Sequence, residues 1–195
     1  VRPNISAVVV KHNRGDPTPF LPKGTDLVAL ENYENRMWHS MASALNFGLE
    51  AAKNDIVICV HPDVIFGKDF WQGFFEQLEL IESWGALGIV GMTSIGRRCW
   101  CHYSNFNFPY PVQTLDECCI IVDKRNGLKF DDKTFNWHCY GADFCLQCLD
   151  RGLGVYVIGG DASHWGGEWG VEPPSYIKDR KRLELKWRNL KIYTT

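Results

Sequence analysis

His61 and Asp63, set one residue apart by Pro62, and His164, a hundred residues later, carry side chains that can bind a divalent cation. Imidazole is a borderline donor and carboxylate a hard one. Together with phosphate oxygens they suit Mn2+ or Mg2+. Two polar pairs, His12-Asn13 and Glu31-Asn32, follow short apolar runs in the same way. Asp143 comes after Tyr140-Gly141-Ala142 at the start of an apolar helical stretch. There a carboxylate can act as a general base or simply meet the helix dipole. The plainer alternatives are that Asp63 is a turn or cap residue and His164 a loop histidine.

The element that must position these groups is the run Ile56-Val57-Ile58-Cys59-Val60. Five consecutive apolar residues, mostly β-branched, predict a strand buried on both faces, as in a parallel sheet. Its polar tip, His61-Pro62-Asp63, falls where open α/β sheets hold ligands, outside the carboxyl ends of the strands. Further strands are predicted over 5–10, 27–30, 86–90 and 155–158, with one or two more within 112–122. Ser40 is a helix N-cap candidate for a helix running to 53, and Phe70, Phe74, Leu78 and Ile81 mark another over 69–83. A third helix is expected over 140–151, stopping at Gly152, and a charged one over 173–190. The alternation of strand and helix predicts an α/β fold with a mostly parallel central sheet, and successive strands then end on one edge.

The chain has 195 residues, 21 basic and 23 acidic, for a net charge of -2. That balance offers no electrostatic footprint for nucleic acid. No secretory signal or run of about 18 apolar residues is present, so a cytoplasmic protein without a transmembrane segment is expected. The first residue is Val, and a domain cut from a longer protein is one reading. Eight cysteines, several inside apolar segments, point to buried free thiols rather than disulfides. Cys99-Trp100-Cys101-His102 and Cys145 with Cys148 hold enough ligands for a zinc site, although the latter pair falls on the apolar face of a helix. No phosphate-binding glycine loop or dinucleotide fingerprint occurs. A bound nucleotide would therefore depend on side chains and strand ends.

Six stretches, in order, resemble the GT-A nucleotide-sugar glycosyltransferases, family 2 and the related glycosyltransferase-like group. They are Ala7 to Asn13, Ala44 to Leu49, Ile56 to Asp63, Cys118 to Arg125 with Phe130-Asp131, Tyr140 to Leu146, and Ala162-Ser163-His164. The likeness covers most of residues 5–165. It implies a single GT-A (Rossmann-like) domain with a nucleotide-sugar-binding half (1–92), a small mixed acceptor-side half (93–170) and a C-terminal helix (171–195). It is also consistent with a compact version of the family, virus-encoded or part of a multidomain protein. His61 stands where the family has the first Asp of Asp-x-Asp, Ala142 where it has a Glu, and Leu45 where it has an Arg.

The resemblance implies a metal-dependent transfer of a sugar from a nucleoside-diphosphate sugar, UDP foremost, to a hydroxyl of a glycan or glycoprotein acceptor, with inversion. His12, Asn13 and Glu31 would hold the nucleotide, and Asp116 would bind donor-sugar hydroxyls. Asp63, with His164 and His61, would hold Mn2+ or Mg2+, and Asp143 would be the base. Trp137, Trp165 or Trp169 would stack on sugar faces, and the Gly-Trp loop from Trp165 to Gly170 would be a lid or a surface loop with anchored Trp residues. Two other readings stay open: a GT-A-like domain that binds sugar or nucleotide without turnover, and a zinc-stabilised interaction module.

Overall fold

The computed structural model describes residues 3–13, 18–35, 37–164 and 172–195. The first half runs β1 (Ile5–Lys11), β2 (Asp26–Glu31), α1 (Met41–Ala51), β3 (Ile56–Val60), β4 (Val64–Phe66), α2 (Phe70–Leu78) and β5 (Trp84–Gly88). Short strands β6 (Val90–Met92), β7 (Arg98–Trp100), β8 (Tyr110–Pro111) and β9 (Thr114–Leu115) follow. The chain continues through β10 (Cys119–Asp123), α3 (Tyr140–Asp150), β11 (Gly154–Val157), β12 (Ala162–His164) and α4 (Pro174–Lys186).

The central sheet has seven strands in the order β2-β1-β3-β10-β5-β11-β8. It is mixed, so the expectation of a mostly parallel sheet holds only in part. β1 pairs in parallel with β2 and β3, and β11 with β5, but β10 runs antiparallel to both its neighbours and β8 is antiparallel to β11. Five strands thus share one direction, while the antiparallel β10 separates them into two blocks. The residues of β10 are as apolar and as buried as those of β3. Burial on both faces explains that composition, and direction leaves no mark on it.

Local chemistry accounts for most of the remaining elements. Ser40 caps α1, its Oγ accepting from the Ser43 N–H at 3.0 Å. Gly48 lets α1 lie directly on β1, because a Cβ there would run into the Val8 side chain. The helix predicted over 69–83 ends at Leu78. Its last turn tightens through bonds from Leu80 N–H to Gln77 O and Ile81 N–H to Leu78 O, and β5 begins at Trp84. Two small sheets flank the central one: β4 with β12, and β6 between β7 and β9. All eight cysteines are buried and free. No helix among the described residues is long and apolar enough to cross a membrane.

Candidate metal centre

β1, β2 and β3 end on one edge of the sheet, with Val9 opposite Val60 and Lys11 opposite Glu31. His12, Asn13, Glu31 and His61 therefore emerge side by side. β10 starts from that edge, Cys119 facing Val60, and its approach brings Asp116, Glu117 and Cys118 to the same place. The His61 N–H donates to the Cys118 carbonyl at 2.8 Å, which locks the two segments together.

Past His61 the chain turns, Val64 N–H donating to the His61 carbonyl at 3.3 Å. It then forms β4, which pairs with β12 in the register Val64–His164. That ladder carries His164 back to the strand tip. His164 Nε2 lies 3.3 Å from Asp63 Oδ1, and the His61 and His164 rings meet edge to face with centroids 5.4 Å apart. Ligand atoms of His61, Asp63 and His164 all lie within 4.8 Å of one another. Burial, helped by the charges of His164 and His12 and opposed by Asp116 and Asp63, pushes the His61 imidazole down to about 4. It is therefore neutral at pH 7, the form that ligates a metal. Two imidazoles and a carboxylate, with the Asp63 side chain 37% exposed, form a donor set that fits Mn2+ and keeps one ligand open to solvent.

Asp116 adjoins this cluster. Its backbone N–H donates to the Val90 carbonyl at 2.9 Å, and its Oδ1 accepts from the Cys118 N–H at 2.9 Å. A second set of ligand atoms, from Asp116, Cys118 and His164, lies within 4.8 Å. The cysteine clusters at Cys99–His102 and Cys145–Cys148 form no such group among the described residues.

Sequence reasoning did not single out Glu117. The residue keeps some surface, yet its carboxyl turns inward and accepts from the Gly141 N–H, in the first turn of α3, at 3.1 Å. With His61 and Tyr140 it lines a cavity of about 10 Å³, space for roughly one water molecule. Burial pushes the carboxyl up to about 8, against the pull of the helix N–H groups. The available signal was its position: a carboxylate between two other ligand-capable residues just ahead of an apolar strand.

Asp143 lies in other surroundings. Its side chain is fully buried and its partners belong to the C-terminal segment and its own helix. Lys186 Nζ is 2.8 Å from Oδ1, Trp187 Nε1–H donates to Oδ1 at 2.7 Å, and Gln147 donates to Oδ2 at 2.8 Å. With both oxygens engaged and no exposed surface, the carboxylate cannot reach an acceptor hydroxyl in this arrangement, which removes geometric support for the expected base role. Trp137 stands near His12, ring centroids 6.3 Å apart. Trp165, Trp169 and the Gly-Trp loop lie outside the described residues.

No protein-family model matches the chain. A curated protein described as "ATP synthase subunits region ORF 6" of Fuscovulum blasticum is 24% identical over 187 residues, covering 87% of this chain and 74% of its own. Among solved structures, GalNAc-T7 with UDP, GalNAc and Mn2+ matches 95% of this chain with a TM-score of 0.65 and 10% identity. The mannosyltransferase PcManGT of Pyrobaculum calidifontis, in complex with GDP-Man and Mn2+, matches 82% with a TM-score of 0.54 and 11% identity. The fold is similar to GT-A folds. The chain A197 from STIV matches 84% of this chain and 86% of its own, with a TM-score of 0.51 and 13% identity. The chain spans only 48% and 55% of the two transferase structures, and at such identities the likeness is one of fold.

Proposed function

We propose that the chain is a metal-dependent glycosyltransferase unit that moves a sugar from a nucleoside-diphosphate sugar to an acceptor hydroxyl. The observation that carries this reading is the convergence of His61, Asp63 and His164 within 4.8 Å at the edge where β1, β2 and β3 end. Both transferase structures of similar fold hold Mn2+ with a nucleotide or nucleotide sugar.

His61, Asp63 and His164 would hold Mn2+ or Mg2+. A divalent cation bound there supplies Lewis-acid neutralisation of the charge that develops on the leaving nucleoside diphosphate. His12, Asn13 and Glu31, on the adjoining strand ends, would hold the nucleotide. Asp116 would meet the donor sugar, and Trp137 beside His12 offers an apolar ring face for a base or a pyranose. A glycan or glycoprotein is the acceptor class. Transfer with inversion requires a base, and Asp143 fills that role only if Lys186 and Trp187 withdraw from it. UDP and GDP are the carriers to test first. A thermal-shift screen of UDP- and GDP-sugars with and without Mn2+ checks the reading, since a ligand that binds only the native state raises its melting point. No metal-dependent shift with any donor would sink it.

The burial of Asp143 favours a second reading, donor or sugar binding without turnover. Metal-stimulated release of nucleoside diphosphate from a donor that binds would end that alternative.

A further inference from the structure

We propose that Asp116, Cys118 and His164 form a second cation position, selective for a thiophilic divalent ion such as Zn2+ or Cd2+, which competes with the His61–Asp63 position for the shared His164. Binding at this position stands on its own geometry; only the competition rests on the function proposed above.

The three ligand atoms lie within 4.8 Å of one another and combine oxygen, sulfur and nitrogen. Zinc is bound by this mixture, with a fourth place left for water, and its affinity for a nitrogen, oxygen and sulfur site exceeds that of Mn2+. The first position has no sulfur, so the two sets differ in softness and not only in place. The second is also built in advance. Asp116 is held from both sides, by its own N–H on the Val90 carbonyl and by the Cys118 N–H on its Oδ1. The Cys118 carbonyl is fixed by the His61 N–H, and His164 is fixed by the β4–β12 ladder. Cys118 is 1% exposed, whereas Asp116 and His164 are half-buried. An ion arriving from solvent therefore meets the carboxylate and the imidazole before the sulfur.

As the metal–sulfur bond forms, the thiol proton leaves to solvent and the aqua ion sheds water, with no change of oxidation state. A neutral imidazole offers one lone pair, so His164 serves one ion at a time. An ion on Asp116 and Cys118 leaves His61 and Asp63 as a two-ligand remnant. Zinc would then act as an inhibitor that strips the first ion of a ligand and occupies Asp116, while leaving His12, Asn13 and Glu31 untouched.

The test uses the metal-free full chain and Cd2+. Titration should raise a thiolate-to-cadmium charge-transfer band in the ultraviolet that saturates at one equivalent and is lost in Cys118→Ser. Mn2+ binding, followed by the paramagnetic resonance of the free ion, should weaken roughly tenfold or more when Cd2+ is bound. In Cys118→Ser the Cd2+ concentration that weakens Mn2+ binding should rise roughly tenfold or more, since only direct exchange at the first position remains. If Cys118→Ser does not fold, Asp116→Asn gives the same readout, with the cadmium titration shifted to roughly tenfold higher concentration. No band, a band that persists unchanged in Cys118→Ser, or Mn2+ binding indifferent to bound Cd2+ would overturn the proposal. A band that follows Cys118 in a protein that never binds Mn2+ would uphold the second position and sink the reading of the first.

Discussion

Lys186 places its ammonium 2.8 Å from Asp143, and the neighbouring Trp187 indole caps the same carboxylate at 2.7 Å. One residue of α3 thereby gathers the end of α4. Lys186 also reaches Asp131 at 2.8 Å, so a single cation ties two acidic side chains from separate segments to the C-terminal helix.

This arrangement predicts that Asp143 is chiefly an anchor. Asp143→Asn leaves an acceptor for the Trp187 indole but removes the charge facing Lys186, and should cost about 1–3 kcal/mol of stability. Denaturant unfolding measures it. Unchanged stability together with abolished sugar transfer would restore Asp143 as the base.

Metal binding should depend on the strand tip and not on the anchor. Asp63→Asn and His164→Ala should each weaken Mn2+ binding on the order of 10–100-fold by calorimetry. Unfolding should change little, because neither side chain is fully buried. Mn2+ affinity equal to that of the unaltered protein in both variants would remove the cluster from consideration.

The Asp131–Lys186 pair makes a pH prediction. Burial raises the Asp131 carboxyl, but hydrogen bonds from Lys186 and Thr134 outweigh it and hold the group at about 2. A depressed carboxylate stabilises the fold above its unfolded value, near 4, and that contribution fades as pH falls towards 2. Asp131→Asn should therefore cost about 1 kcal/mol at neutral pH, after allowance for solvent screening of a partly exposed pair. The gap from the unaltered protein should close in acid. Melting curves of both proteins between pH 2 and about 7 test this, and a gap that widens in acid would refute it.

Gly141 allows the first turn of α3 to sit against β10 and the segment before it. A Cβ there would lie 2.5 Å from Ile120 Cδ1 and 2.8 Å from Glu117 Cγ. Gly141→Ala should destabilise by about 1–3 kcal/mol, the usual cost of overpacking a filled interior. An unchanged melting temperature would mean that Ile120 and Glu117 give way freely.

The parts of this molecule legible in its sequence are those with strong local signals. Ser40 announces α1, the 56–60 run announces β3, and Gly152 follows the last turn of α3. The candidate cluster was partly legible for the same reason, since His61 and Asp63 follow a buried strand directly. β4 and β12 have three residues each, too few to show a period, so nothing in the composition foretold the ladder that carries His164 to Asp63. The direction of β10 was invisible because burial alone sets its residue types, and with it went the juxtaposition of Cys118 with His61. The fate of Asp143 was hidden as well. Two of its partners, Lys186 and Trp187, are more than forty positions away, at the end of a helix whose charge pattern reads as solvated surface.

The reversed strand in the middle of the sheet makes the strand-tip cluster sensitive to segment length in an uneven way. His61 and Asp63 inherit their places from a strand that has just finished, Asp116 and Cys118 from one about to begin. Adding one residue between Leu115 and Cys118 would rotate Asp116 away from the histidines while leaving the ends of β1 and β2 untouched. The two sides of the strand-tip cluster can therefore change separately, the His61–Asp63 side keeping its geometry as the Asp116–Cys118 side shifts.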